Sequence, residues 1–493
     1  MQENNSHKQA FWFTIINYVG IIIGVFSTIF IYPNDKEFLG IVRYVDSIAQ
    51  ILFPILVFGG AQALIHFYPD LSEVNRKQLF KYGIRTILGI SSIVLIFLFL
   101  GNYVITWDNY HYVFYAFPIA FSLAFVELFK RQATNLQKLS IPTFFEKIIP
   151  KLALPFVFIL LLSGYFDVIS SLVAFISSYF ILLILLSVYL FRQYKINMNF
   201  DFSSLFSQIS KKDYYKYSFY SFVGSFGSFF AFRVDSFMIP EFLSFEANGT
   251  YSIGVMLASA LAIPATGMYA IYAPQVSSLI KSGNIKLLGE KYIETSKLLF
   301  FIGAILFGCI VLGIDSLFQM LPTYDKLVDS IPIIIILGAN VLFNMATGFN
   351  SEIISYSKYF RFNIISVLVL VVINVSLNVY FLTKTNLGIM GVAYASLIAM
   401  TLFNSFKLYF IYSKFGILPF DKKYAKLFLI ISVITMAIYM LPEFSNHLMN
   451  LSFKVLLNIA LILLITYKLK LVFSLNFWAD KLLDKINIGK QKH

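Results

Sequence analysis

Residues 168–191 read VISSLVAFISSYFILLILLSVYLF, 24 positions without a charge, held between Asp167 and Arg192. About 20 apolar residues span the hydrocarbon core of a bilayer, so this stretch reads as a membrane-crossing helix. Comparable apolar runs recur at 10–32, 38–66, 83–105, 111–129, 143–163, 217–239, 250–272, 297–314, 331–350, 363–382, 387–411, 426–441 and 451–472. The first is too apolar over too great a length for a secretory signal, and no small-residue cleavage site follows it, so it reads as a true span. The expected fold is an all-α integral membrane protein of about fourteen transmembrane helices.

Composition agrees. Of 493 residues 59% are hydrophobic and 13% charged, with a mean hydropathy of +0.78. A soluble domain needs roughly 25% charged residues to hydrate its surface. The net charge of +13 raises the question of nucleic acid, but its lysines and arginines lie between apolar runs rather than on one face of a soluble domain, so no nucleic-acid partner is expected. Cys309 is the single cysteine, and the five histidines include no pair at ligand spacing. Neither an internal disulfide nor a cysteine metal motif is available, and no metal site or catalytic residue is expected.

Cytoplasmic loops retain Lys and Arg. The alternating connections around Lys77, Arg131, Lys211, Lys286, Lys358 and Lys422, with their flanking turns and both termini, hold 30 of the 38 basic residues. The opposite connections hold Lys36, Lys326, Lys384 and Lys454. A wrong number of spans would scramble this alternation part-way along. It supports fourteen and predicts cytoplasmic N- and C-termini.

The expected organisation is an N-terminal lobe over 1–191, a linker over 192–216, a second lobe over 217–413, and two further spans with a basic cytoplasmic tail over 414–493. The linker contains an amphipathic stretch from Phe200 to Tyr215, expected to lie in the membrane interface. A short echo joins the lobes. Glu37-Phe-Leu-Gly40 opens the second span and Glu246-Ala-Asn-Gly249 the eighth, each followed by a proline within the span, Pro54 and Pro264. Transporters are commonly built of such repeats, with substrate sites between them.

Four basic residues remain inside the spans, Arg43, Lys147, Lys151 and Arg233, accompanied by Asp46, Glu146 and Asp235. A charge at membrane depth costs about 2.5–3.5 kcal/mol on insertion scales, so it should face protein or water. Lys147 and Lys151 are one turn apart on one face, roughly 6 and 12 Å inside the boundary. Arg43, Lys147, Lys151 and Arg233 could form a cationic cavity for an anionic ligand such as a diphosphate, which arginine grips in bidentate fashion. The bland alternative is that they snorkel to the interface. Asp46, Asp235 and Glu146 are candidates for gating or ion coupling. Arg43 with Asp235, and Asp46 with Arg233, are the pairings expected to close an outer gate. Asn374 and Asn378 share a face of the eleventh span, and Asn340, Asn344 and Asn350 mark the tenth. Hydrogen bonding between helices is the simpler account of these, cavity lining the other.

Several local sequences resemble a known family. Phe232-Arg-Val-Asp-Ser-Phe-Met-Ile239, followed by Ala247-Asn-Gly-Thr-Tyr-Ser-Ile-Gly254, is similar to the seventh-to-eighth span signature of polysaccharide flippases. Asn374-Val-Ser-Leu-Asn378 and Thr385-Asn-Leu-Gly-Ile-Met-Gly-Val-Ala-Tyr-Ala395 resemble their eleventh-to-twelfth span signature; Leu321-Pro-Thr-Tyr-Asp-Lys326 and the segment from Gly40 to Pro69 also fit. The resemblance is to the polysaccharide and O-antigen (Wzx-type) branch of the multidrug/oligosaccharidyl-lipid/polysaccharide (MOP) exporter superfamily.

That resemblance implies a MATE-like fold of two six-helix lobes around a central cavity, with two further helices at the C-terminus. It implies a bacterial inner-membrane flippase that moves an undecaprenyl-diphosphate-linked oligosaccharide of capsule, exopolysaccharide or O-antigen from the inner to the outer leaflet by alternating access. An ion gradient, H+ or Na+, or the membrane potential would replace any cofactor. A polysaccharide polymerase and chain-length machinery are the protein partners it suggests. Arg233 and Asp235 carry over by position. Phe11 to Tyr32 contains no Arg or Asp, a departure from the lipid II flippase branch. Two rivals stand beside this reading: a cation-coupled drug or metabolite exporter on the same fold, and a membrane polysaccharide polymerase. The polymerase lacks support, because no sizeable outer loop carries paired carboxylates for acid–base chemistry.

Overall fold

A computed structural model describes residues 20–195 and 201–490 of the chain. Every regular element among them is helical. This follows from the solvent: backbone groups in lipid must bond within their own segment, which a helix does. In chain order the helices are α1 (Gly20–Phe30), α2 (Lys36–Val57), α3 (Gly60–Phe67), α4 (Glu73–Gly101), α5 (Tyr112–Asn135), α6 (Ser140–Leu162) and α7 (Val168–Gln193). They continue with α8 (Ser203–Gln208), α9 (Lys211–Phe242), α10 (Phe245–Ser259), α11 (Ile263–Lys281), α12 (Ile285–Gln319), α13 (Tyr324–Leu327), α14 (Ile331–Ala346) and α15 (Asn350–Tyr356). The last are α16 (Phe360–Lys384), α17 (Ile389–Phe415), α18 (Lys422–Tyr439), α19 (His447–Lys468) and α20 (Phe473–Lys490).

Helix starts are written in the sequence. Asp35, Ser72, Asp167, Asn284, Asp421 and Asn446 each accept a backbone N–H from the first turn that follows. These side chains satisfy donors that the helix itself leaves orphaned.

Eleven helices among the described residues are long and apolar enough to cross a membrane. The three remaining expected spans are helical over their described residues too. Of the first, residues 20–32 are described, and Gly20–Phe30 among them is helical. The fifth, α6, carries Glu146, Lys147 and Lys151 along its 23 residues, and the thirteenth, α18, opens on Lys422, Lys423 and Lys426. With these three, the helices number about fourteen spans.

The chain forms two compact units that divide between Ser252 and Ile253. In the first, α2 is the central element and packs against α5 and α9, while α7 lies on α5 and α6. The seventh span, α9, therefore shares a unit with the first six. In the second, the 35-residue α12 packs against α14, α18 and α19, and α17 joins α14 to α16. A stripe of α19 at four-residue spacing, Asn450, Lys454, Asn458, Ile462 and Thr466, is buried. Asn450 Nδ2 donates to Ser316 Oγ of α12 at 2.8 Å, and Thr435 Oγ1 of α18 donates to Asn458 Oδ1 at 3.1 Å.

The echo between the second and eighth spans reaches the backbone. α2 stops just after Pro54, with Phe58 and Gly59 at φ 45° and 71°, before the chain resumes as α3. α10 gives way to a 3-10 turn at Ala260–Ala262, and α11 resumes with Pro264 in its first turn. Proline removes a ladder donor and crowds the preceding turn, so both spans are jointed. The expected interfacial helix is shorter than its sequence pattern. Phe200 lies outside the described residues, α8 covers six residues, and Lys211 already begins α9. The C-terminal basic tail begins as α20.

Candidate functional site

The first unit is organised around one antiparallel seam. Along α2 and α9, Tyr44 stacks on Phe237 at 5.8 Å, Phe53 meets Phe229 edge-on at 4.9 Å, and Phe58 lies on Phe222 at 5.1 Å. Numbers rise on one helix as they fall on the other, and this register sets which polar side chains can meet. It places Asp46 opposite Arg233, with Arg233 Nη1 3.8 Å from Asp46 Oδ2. Asp46 is buried and Arg233 partly so. The hydroxyl of Tyr179, on α7, bonds the same carboxylate and itself lies within reach of the Arg43 and Arg233 guanidiniums. Two guanidiniums thus share the neighbourhood of one carboxylate inside the span.

Asp235, two residues on from Arg233, points to a different neighbour: it accepts a hydrogen bond from Tyr251 of α10 at 2.7 Å. That divergence is what a two-residue step on a helix produces.

At its lysine-poor end the seam closes by backbone contact. A methyl on Gly40 would overlap the carbonyl of Phe245, and one on Gly249 would overlap the carbonyl of Lys36. Each glycine sits one turn beyond the residue that the other contacts, so the two halves of the sequence echo interlock reciprocally. Asn248 Nδ2 donates to the Gly40 carbonyl at 2.8 Å, and Lys36 pairs with Glu246 at 3.5 Å. Beside them Glu241 Oε2 accepts from Trp107 Nε1 at 2.5 Å, and its other oxygen accepts from Asn109 at 3.1 Å and from Tyr44. Glu241 lies two residues past the seventh apolar run, so sequence reading assigns it to a loop. Its neighbour Pro240 and the indole of Trp107 are the available clues.

The expected lysine pair divides. Lys147 is exposed. Lys151 is half-buried and lies along α1, with its ammonium 3.1 Å from where a β-carbon on Gly20 would stand. Glu146 meets neither on α6; Lys130 of α5 reaches it at 2.9 Å and also holds Glu127 at 2.8 Å. Arg131 completes that cluster at 2.7 Å from Glu127. Glu146 thus ties α5 to α6.

In the second unit Asn374 and Asn378 are buried, and Asn378 Nδ2 donates to Asn374 Oδ1 at 3.3 Å within α16. Asn344 and Asn350 join a network that sequence reading does not assemble. Asn404 Oδ1 accepts from Asn350 at 3.0 Å, its amide donates to Asn344 at 3.3 Å, and Lys407 donates to Ser351 Oγ at 2.8 Å. Lys407 is 2% exposed, and its ammonium sits 3.9 Å over the Phe403 ring. Counting basic residues by connection hides it, because it lies four residues inside the run 387–411. Burial pushes the carboxyl of Glu352, on α15, above the usual range against the opposing pull of Lys407.

No protein-family model matches this chain, and no curated protein matches it in sequence. Solved structures share its fold. The lipid II flippase MurJ, in an inward closed conformation, aligns with a TM-score of 0.66 at 14% identity, over 93% of this chain and 98% of that one. An inward-facing multidrug resistance MATE family transporter of the MOP superfamily gives 0.64 at 12% identity, over 80% and 94%. A MOP superfamily transporter from Pyrococcus furiosus gives 0.55 at 13%, over 82% and 95%. The likeness to these transporters is one of fold.

Proposed function

We propose that this chain is a flippase that carries an undecaprenyl-diphosphate-linked oligosaccharide from the inner to the outer leaflet of a bacterial inner membrane by alternating access. The observation that supports it most is the Arg43–Asp46–Arg233 group on the α2–α9 seam. Guanidiniums at membrane depth are costly to keep there, and their bidentate geometry suits a diphosphate. In this reading Asp46 occupies Arg233 while the seam is closed. When the seam parts, the diphosphate replaces Asp46, and the freed carboxylate can take a proton or Na+. Each facing state must hold the head group well enough to accept it and weakly enough to release it. Lys151 and Lys147 would offset part of the cost of dehydrating the phosphates, and Asp235 would hold the outer gate through Tyr251. Asn374 and Asn378 serve helix packing in this scheme.

The same fold serves MATE transporters, and a cation-coupled exporter is the rival reading. Coverage favours the flippase: the MurJ alignment reaches 93% of this chain where the MATE alignment reaches 80%. The deciding experiment follows the leaflet distribution of undecaprenyl-diphosphate-linked oligosaccharide in a deletion strain. Build-up in the inner leaflet, rescued by the wild-type chain and not by Arg233→Ala, is expected. Absence of build-up would discard the lipid-linked substrate and put the exporter first.

A further inference from the structure

The first unit contains a second cationic feature, away from the α2–α9 seam. Between α4, α8 and the start of α9 lies a cavity of about 780 Å³, within the roughly 300–1,000 Å³ of small-ligand sites. We propose that it is a binding site for the phosphate headgroup of an anionic phospholipid in the leaflet on the lysine-rich side.

Two cations frame it. The Arg85 guanidinium stands 5.6 Å over the Phe202 ring, and the Lys211 ammonium 5.2 Å over Phe206. Neither forms an ion pair with a described residue. The ring faces hold them by cation–π attraction, which takes up none of their N–H donors. Tyr82 and Tyr215 join hydroxyls across the cavity wall, and Ser203 and Ser207 add two more. None of the described residues that line it is acidic. Asp201, at the start of the segment that leads into α8, caps Ser203, accepting its N–H at 3.0 Å and its hydroxyl at 2.8 Å.

Position and surroundings point to a lipid rather than to free phosphate. Arg85 lies two residues inside the third apolar run and Lys211 six residues before the seventh, so both sit near the expected membrane boundary. Basic pockets between helices at this level suit anionic headgroups. From Arg85 the same face of α4 continues at three- and four-residue steps as Leu88, Ser92, Ile96 and Phe99, all exposed. That stripe would seat an acyl chain below a phosphate held by Arg85 and Lys211.

The test uses the purified full chain in detergent, with bound lipid read by native mass spectrometry and stability by thermal unfolding. Phosphatidylglycerol should be retained and should raise Tm. Phosphatidylcholine and inorganic phosphate should do neither. Arg85→Gln with Lys211→Gln should weaken phosphatidylglycerol binding about 25-fold, roughly fivefold for each charge. Should that double variant not fold, Ser207→Glu places a carboxylate in the cavity and should abolish retention. Equal retention of phosphatidylcholine, an equal Tm rise with inorganic phosphate, or unchanged binding in the variants would overturn the proposal. Transport by the chain is not the readout, so the flippase reading can fail without affecting this result.

Discussion

Gly40 and Gly249 are set reciprocally: each packs on the backbone of the other's helix, one turn before the partner glycine. Only residues without a β-carbon permit this approach, and the Asn248 amide fixes it by bonding the Gly40 carbonyl. The four-residue echo between the second and eighth spans is therefore a contact surface used twice.

Gly40→Ala or Gly249→Ala should separate the two helix starts. Over-packing of this kind typically costs about 1–3 kcal/mol, and Tm in detergent should fall accordingly. Gly24→Ala, where a methyl meets nothing within 4 Å, is the control and should leave Tm unchanged or raise it. A neutral Gly40→Ala would refute the crossing.

Asp46 and Arg233 should be energetically coupled. Because Arg233 is partly exposed, a double-mutant cycle of Asp46→Asn and Arg233→Gln should give about 0.2–1 kcal/mol. Exchanging the charges, Asp46→Arg with Arg233→Asp, should recover stability that either single reversal loses. Strict additivity would mean that the 3.8 Å approach carries no interaction.

Asp421 gives a pH dependence. Burial pushes its carboxyl up, but the Lys297 ammonium at 2.7 Å and the Tyr424 N–H outweigh it and hold the carboxyl below the ordinary range. A carboxyl depressed in the folded state stabilises above its unfolded pKa, about 3.9, and that stabilisation fades as pH falls through the lower folded value. Wild type should therefore melt above Asp421→Asn at pH 7. The gap should close in strong acid, and a gap independent of pH would count against the ion pair.

Lys407→Met replaces a buried cation kept company by the Ser351 hydroxyl, the Phe403 ring and the raised carboxyl of Glu352, which can take up a proton. Exchanging such a group for an apolar one of similar volume is commonly neutral or stabilising. Tm should stay level or rise. A large fall would show that the bond to Ser351 outweighs the cost of burying the charge.

How much of this was legible in the sequence differs between levels. The spans were, because lipid imposes length and apolarity on each one alone; 168–191 lies within α7 almost residue for residue. Arg233 and Asp46 were legible as costly charges, since a charge in an apolar run announces itself. The joint of α2 at Phe58 and Gly59 was signalled only by Pro54, four residues earlier. The network of Asn344, Asn350, Asn404 and Lys407 was not legible, because it forms where α14, α15 and α17 meet and no one run contains it. Glu241 was missed for the same reason, its three donors coming from α2 and from the connection ahead of α5.

The joints after Val57 and at Ala260–Ala262 bear on the energetic cost of bending these spans. A straight helix made to flex would break and remake backbone hydrogen bonds in each cycle, at a place chosen by chance. These two spans have the interruption in their resting form, where Phe58 N–H closes one ladder on the Pro54 carbonyl and Ala63 N–H begins the next on Gly59. At the α2 joint a turn about the Phe58 and Gly59 torsions would re-aim the arms without opening the ladder on either side.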